Sequence, residues 1–357
     1  MKRIIYPERD NWQQRHLDIG FDYYNLPSTD GSIYWSEGVS YEFHLKQIEQ
    51  LEDAANELHQ MCLQVADRII QSGDYPDYFQ IPQAAIPSIE HSWKSKAPML
   101  YGRFDFAYDG QNIKMLEYNA DTPTGLLEAS VAQWHWIEEV QNVPHRDQFN
   151  SIHEDLIERW KQLFAPKSLV HFAACQEAGR EDWGNLEYLM DTAFQAGLSV
   201  SELSMENLGW DQTQFVDLND QAINHLFKLY PWEWIWEENF STFIKPDTQW
   251  IEPCWKMLLS NKAILVELWK QFPHHPLLLE SHAFNPNDRF NGKWVRKPIL
   301  AREGANIHII QNNVDCGEAS GSFHFEDYDK YGYIMQKWAP TPLHEGMLPT
   351  LGLWMVG

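Results

Sequence analysis

Residues 101–124, Y-G-R-F-D-F-A-Y-D-G-Q-N-I-K-M-L-E-Y-N-A-D-T-P-T, constrain the fold more than any other stretch. Two β-rich runs flank Asp109-Gly110, a short-range hairpin signal. Alternate side chains of a strand share a face, so Arg103 and Asp105 project together, as do Glu117 and Asn119. Whether the pairs meet depends on register. A two-residue turn at Asp109-Gly110 would pair Tyr108 with Gln111 and turn Glu117 away from Arg103. A three-residue loop, Asp109 to Gln111, pairs Tyr108 with Asn112 and brings all four polar groups to one side. The apolar residues favour the longer loop, because Phe104, Phe106 and Tyr108 then share the core face with Leu116 and Tyr118. Two carboxylates and an amide oxygen suit Mg²⁺, which fills its remaining positions with water and substrate phosphates, so the expected ligand is a nucleotide. A polar strand face with one Arg103–Asp105 ion pair fits the same spacing.

Composition narrows the partners. The 357 residues include 44% hydrophobic and 14% aromatic side chains, enough for a sizeable core in one large domain or a few smaller ones. A net charge of −24 opposes nucleic acid and anionic membrane as partners, and it could concentrate a cationic substrate such as a polyamine. Cys62, Cys175, Cys254 and Cys316 are scattered without a C-x-x-C pair, which fits a reducing compartment. The N-terminus lacks a signal-peptide core and no apolar run of about 18 residues occurs, so a soluble, cytoplasmic protein is expected. The sequence does not fix the oligomeric state.

Along the chain, residues 8–20 and 41–72 read as helices, and 124–140 and 145–164 as two more. Ser168–Ala174, Trp183–Ala196 and Leu198–Glu202 then read as a βαβ-like unit, with His171 as a core histidine. Glu181-Asp182 fits a solvated helix start or a seat for a cationic group. Trp232, Trp234 and Trp236 are expected to pack a domain junction. Residues 253–271 read as one helix carrying Lys262, whose apolar neighbours suggest an exposed, snorkelling side chain. Trp294–Leu300 and Asn306–Ile310 read as strands around a loop in which Gly304 lets backbone N–H groups approach an anion, with Lys297 and Arg302 supplying charge. Tyr331–Ala339 reads as a strand suited to an adenine edge. No G-x-S-x-G, H-E-x-x-H or Cys-His pattern argues for a hydrolase or zinc enzyme.

Together these pieces resemble the synthetase module of the glutathionylspermidine synthetase family, a branch of the ATP-grasp ligases. The resemblance spans essentially the whole chain and rests on W-Q-Q-R near the start, Y-W-S-E-G at 34–38, Y-G-R-F-D-F at 101–106, L-E-Y-N-A-D-T-P-T at 116–124, Y-P-W-E-W at 230–234, S-N-K-A-I-L at 260–265 and R-K-P-I-L-A-R-E-G-A-N at 296–306. It implies an α+β, permuted ATP-grasp fold in a single synthetase module. Within that module it implies a helical part with the metal-binding hairpin at 1–165, a small α/β (pre-ATP-grasp-like) subdomain at 166–250 and a lid region at 251–357. It also implies a catalytic Arg103 and Mg²⁺ ligands Asp105, Glu117 and Asn119. ATP would be held by Lys262, Lys297, the loop Arg302, Gly304, Ala305 and Asn306, and the strand Gln336, Lys337, Trp338 and Ala339. Thr122 and Thr124 would contact the glutathione-like substrate, and Glu181 and Asp182, read above from the residues alone, are added as candidates for a cationic substrate group. The implied activity is ATP- and Mg²⁺-dependent joining of a carboxylate, such as a glutathione-like peptide, to an amine, a polyamine or amino acid, through an acyl phosphate. The family's amidase domain lies outside the resemblance, and where this sequence ends at Gly357 relatives continue into a segment with a further phosphate-binding arginine, so either the sequence is incomplete or that element is missing. A nucleotide-binding protein that keeps this fold without ligation is the alternative, and phosphoryl transfer to a small acid a third reading.

Overall fold

The hairpin expected at 101–119 is present, but its register is reached by another route. In the computed structural model, which describes residues 1–27, 34–143, 146–245, 247–319, 322, 324–339 and 347–357, Tyr101–Tyr108 pairs antiparallel with Ile113–Asn119. Tyr108 pairs with Ile113 rather than Asn112, so the loop is Asp109–Asn112, one residue longer than expected. The Asp109 carboxylate explains the length, because it accepts the backbone N–H groups of Gln111 at 2.9 Å and Asn112 at 2.6 Å and so stabilises the wider turn. That loop alone would send Glu117 to the face opposite Asp105. A bulge restores the phase: Phe106 pairs with Met115 and Asp105 with Glu117, leaving Leu116 as the extra residue. Arg103 consequently pairs with Asn119, and the four polar side chains share one face. The core face is filled by Ile113, Met115 and Tyr118, while Leu116 is only half-buried, so the expected place of Leu116 in the core belongs to Met115.

A third strand, Thr350–Val356, which the sequence did not suggest, adds antiparallel to Tyr101–Tyr108. Helix Leu45–Ser72 lies in the core cluster behind this sheet, where Leu58, Cys62 and Val65 meet Phe104, Phe106 and Tyr118. Each fully buried side chain of this size contributes roughly 1.5–3 kcal/mol, which makes the back face the anchor of the hairpin. The helix begins three residues after a short strand, Val39–Glu42, that occupies the start of the expected helical run, and it ends at Gly73 in the left-handed conformation. The first expected helix is confined to Trp12–Asp18.

Two further sheets complete the scaffold. A four-stranded parallel sheet has the order Gln249–Ile251, His225–Leu229, Leu169–Ala174, Ser199–Ser204, with helix Arg180–Gln195 as the crossover of the expected βαβ unit. A five-stranded antiparallel sheet, called the lid sheet below only for the role the resemblance implies, has the order Ser281–Ala283, Tyr333–Lys337, Lys293–Pro298, His308–Gln311, Val314–Glu318. The single helix expected at 253–271 is broken into Met257–Ser260 and Ile264–Gln271. Asn261 causes the break: its amide donates to the Phe79 carbonyl at 2.8 Å and its oxygen accepts from the Ala263 N–H at 2.9 Å. Among the described residues no helix is long and apolar enough to cross a membrane.

Candidate active site

The working face of the hairpin begins with a fork. Arg103 donates to both oxygens of Asp105, Nε to Oδ1 at 2.7 Å and Nη2 to Oδ2 at 3.0 Å, while its Nη1 reaches the Thr124 carbonyl at 2.7 Å. The added strand shapes this position. Gly352 pairs with Asp105, and a Cβ there would stand 3.1 Å from Arg103 Cδ, so any larger residue would press on the arginine stem. Trp354 pairs with Arg103 and lies under the guanidinium, 5.7 Å from the ring centre. Neither residue was singled out from the sequence.

Asn119 ties the two carboxylates together, its amide nitrogen lying 3.3 Å from Asp105 Oδ2 and 3.2 Å from Glu117 Oε1. Glu117 in turn meets Lys262 Nζ at 3.3 Å. Lys262 is buried, contrary to the exposed position expected from its apolar neighbours, because the break at Asn261 turns it inward toward Glu117 and the Ala301 carbonyl at 2.9 Å. Lys297 arrives from the lid sheet and donates to the Leu116 carbonyl at 3.2 Å, and Gln336 from the neighbouring lid strand donates to the Met115 carbonyl at 3.3 Å. The bulge that restores the hairpin's phase is therefore also where the lid sheet attaches.

Burial would raise the pKa of Glu117, but Lys262, Lys297, Asn119 and Arg103 overcome it and hold the carboxyl at about 2. Desolvation lowers Lys297 to about 8 despite Glu117. Asp105 is pushed up by burial against the opposing pull of Arg103. The site is thus a set of opposed charges in which the two lysines are buried and the Arg103–Asp105 pair is partly open.

The remaining candidates fall into two groups. Thr124 donates to Glu181 at 2.7 Å, and Asp182 in the same first turn of helix Arg180–Gln195 receives Arg302 at 3.0 Å, so this turn joins the hairpin to the lid loop. Thr122 is half-buried two residues before Thr124. Gly304 has φ +73°, Ala305 is buried, and Asn306 closes the loop onto the Phe325 backbone and onto Asp329 at 2.7 Å. On the last lid strand, Lys337 pairs with Trp294 and its ammonium lies over that ring, on the face opposite Lys297 and Gln336. Trp338 lies under the Lys293 ammonium, 3.5 Å from the ring centre, and Ala339 is half-buried. His171 is fully buried in the core as expected, but neither ring nitrogen makes a hydrogen bond among the described residues, Nε2 lying 3.5 Å from Asp217.

The chain is also similar to known proteins. A family model described as glutathionylspermidine synthase preATP-grasp matches residues 3–357. A Haemophilus influenzae protein with the provisional name acid–amine ligase is 49% identical over 366 residues, covering 100% of this chain and 93% of that protein. The bifunctional glutathionylspermidine synthetase/amidase of Escherichia coli is 27% identical over 304 residues, 77% of this chain and 48% of the relative. Trypanothione synthetase of Crithidia fasciculata is 26% identical over 353 residues, 89% of this chain and 51% of that protein. The match thus spans about half the length of those two enzymes. Among solved structures, a glutathione synthetase-like effector from Globodera pallida shares the fold, with a TM-score of 0.51 at 11% identity over 93% of this chain and 81% of its own. With a whole-length family match and relatives named as ligases, this chain belongs to the glutathionylspermidine synthase family.

Proposed function

We propose that this protein is an ATP- and Mg²⁺-dependent carboxylate–amine ligase. The observation that carries the reading is the convergence of Lys262 and Lys297, from segments far apart in sequence, on Glu117 beside the Arg103–Asp105–Asn119 set. That combination offers cations for phosphates and hard oxygens for a metal in one place. Oxygen ligands that precede the phosphate lysines in the chain support a permuted ATP-grasp arrangement.

The donor set fits Mg²⁺. The Asn119 amide lies within hydrogen-bond distance of both the Asp105 and the Glu117 carboxylate, so these three would offer their oxygens from one place and leave most of an octahedral shell to water and phosphate oxygens. Among the described residues no group of three or more His, Cys, Asp or Glu side chains could hold a metal, so a site that needs such a group is not offered. When bound, Mg²⁺ would neutralise charge on the transferring phosphate. Lys262 and Lys297 would bind the nucleotide phosphates, and Arg302 would close over them from the loop after Pro298. A substrate carboxylate oxygen attacks the γ-phosphorus, its bond to ADP breaks, and an acyl phosphate forms. The amine then attacks the acyl carbon, phosphate leaves, and the amine loses a proton. Arg103 would face the oxygen that gains charge in both steps, a role worth about 3–4 kcal/mol for one well-placed donor. Closure of the lid loop would keep water from the acyl phosphate.

Incubation with ATP, Mg²⁺, glutathione and a panel of polyamines and amino acids, followed by product mass analysis, tests the reading. An amide product with stoichiometric ADP supports it. Tight nucleotide binding with no ADP release under any acid–amine combination would refute it in favour of a nucleotide-binding protein, and a phosphorylated acid without amide would make the chain a phosphotransferase.

A further inference from the structure

One peptide unit of the candidate site is gripped from both sides. The carbonyl of Thr124 accepts Arg103 Nη1 at 2.7 Å, and the N–H of the same peptide, that of Gly125, donates to the side-chain oxygen of Asn185 at 3.0 Å. A peptide is planar, so whatever fixes the direction of its N–H also fixes the direction of its carbonyl.

The grip comes from another element because the local chain has none to give. Gly125 opens the helical run 126–139, its carbonyl accepting the Ala129 N–H at 3.2 Å. An opening turn has N–H groups without helical partners, and the side chain of the opening residue normally takes one of them. Gly125, at φ +94°, has no side chain, and the Thr124 hydroxyl before it is committed to Glu181 at 2.7 Å. Asn185 supplies the cap from the neighbouring helix Arg180–Gln195. Its one oxygen takes the Gly125 and Leu126 N–H groups at 3.0 Å each, and its nitrogen donates to the Glu181 carbonyl at 2.9 Å. A buried amide is costly unless paired, so these contacts also hold Asn185, which is fully buried, in one orientation. Tyr23 covers the helix beside it, so closely that a Cβ on Gly184 would stand 2.5 Å from the Tyr23 ring.

We propose that Asn185 is a positioning residue for the reaction: by holding the N–H of the 124–125 peptide it aims the carbonyl that sets the Arg103 guanidinium. The inference rests on the ligase reading for what Arg103 does. Asn185 acts through that arginine and not by touching a ligand, and its contact with Glu181 ties the same peptide to the helix that carries Glu181 and Asp182.

The test separates the two ends of the Asn185 amide. Asn185→Asp keeps an oxygen for both N–H groups, whereas Asn185→Ser keeps a hydroxyl for the Glu181 carbonyl but is too short to reach either N–H. The full chain is assayed with ATP, Mg²⁺ and a panel of acids and amines as wild type, each single variant, Arg103→Ala, and Asn185→Ser combined with Arg103→Ala. Asn185→Ser should lower kcat about tenfold and leave KM for ATP within about twofold. In the Arg103→Ala background the same change should alter kcat by less than about twofold, because the group it positions is gone. Asn185→Asp should stay within about threefold of wild type. Equal losses from Asn185→Ser with and without Arg103 would make Asn185 a merely structural residue. A loss of about tenfold or more in Asn185→Asp also overturns the proposal, even where the serine variant fails to fold. Hydrogen exchange of the segment carrying Gly125 and Leu126 needs no turnover: it should quicken in Asn185→Ser and not in Asn185→Asp, and equal rates in all three proteins would overturn the grip itself. No product from the wild type with any acid and amine would instead remove the ligase reading, and with it the role of Arg103, while the exchange result still decides whether Asn185 holds the peptide.

Discussion

Two sets of acid–base pairs hold the same hairpin, one at its open end and one on its working face, and they are built differently. At the start of strand Tyr101–Tyr108, Lys256 and Glu252 are both fully buried and 2.5 Å apart. Every polar atom there is used: Glu252 accepts the N–H groups of Leu100 and Tyr101, and Lys256 also donates to the Tyr101 carbonyl. Just past Asn119, Asp121 pairs with Lys228 at 2.6 Å and accepts the Trp232 N–H at 2.9 Å. On the working face the pairs are looser. The Arg103 and Asp105 side chains are 25% and 14% exposed, and Lys262 and Lys297 each rest on a single backbone carbonyl besides Glu117. What separates the two sets is access: the closed pairs are 0–3% exposed and can only fix the strand. The working-face pairs are open enough, at 7–25% exposure, that the proposed phosphate or metal could reach them.

Breaking a closed pair should give the largest effect. Lys256→Met leaves Glu252 buried without its counter-ion, and the expected loss is about 3–5 kcal/mol of stability. Denaturant unfolding measures it, while nucleotide affinity per folded molecule should stay within a few fold. A loss below about 1 kcal/mol would mean that the closed pairs are not what pins the hairpin.

An open pair should fail in function instead. Arg103→Ala should lower turnover by about 10²–10³, the scale for one oxyanion donor, yet leave ATP affinity within a few fold. Arg103→Lys should rescue little, because the planar fork that holds Asp105 and Thr124 at once is lost. If Arg103→Ala abolishes ATP binding and spares turnover at saturating nucleotide, the arginine is a ground-state phosphate clamp.

The same contrast separates what the sequence reveals from what it conceals. The polar face was legible because Arg103 and Asp105, and Glu117 and Asn119, each repeat with the strand period. The loop length was not, since the apolar doublet Met115-Leu116 marks a change of phase that regular alternation hides. Lys262 was misread from periodicity because one side-chain hydrogen bond, from Asn261 to Phe79, stops the helix at the residue before it. Strand Thr350–Val356 and the Asp121–Lys228 pair depend on contacts between segments distant in the chain, which no local pattern encodes. The βαβ unit, in contrast, is set by local runs and was found close to its observed bounds. Trp232 is buried in the core against Trp250, whereas Trp234 lines a cleft that also includes Arg302.

The smallest effect sharpens the comparison most, because it has the opposite sign for the two sets. Lys297 is buried with its pKa brought down from 10.5 to about 8, so at neutral pH the folded protein holds a charge its surroundings disfavour. Below about pH 8 both folded and unfolded chains keep that proton, and the full penalty is present. Between about 8 and 10.5 the unfolded chain binds the proton while the folded chain has released it, so wild-type stability gains a rising contribution with pH. Lys297→Met removes the penalty and loses the hydrogen bond to the Leu116 carbonyl, while Glu117 keeps Lys262. The net expectation is a gain of about 0.5–2 kcal/mol at pH 7, shrinking at pH 9.5, together with nucleotide binding weakened about tenfold or more. Denaturant midpoints at the two pH values and a nucleotide titration check it. A loss of stability at pH 7 would place Lys297 with the closed pairs, as a strut of the fold and not a cation held ready for a ligand.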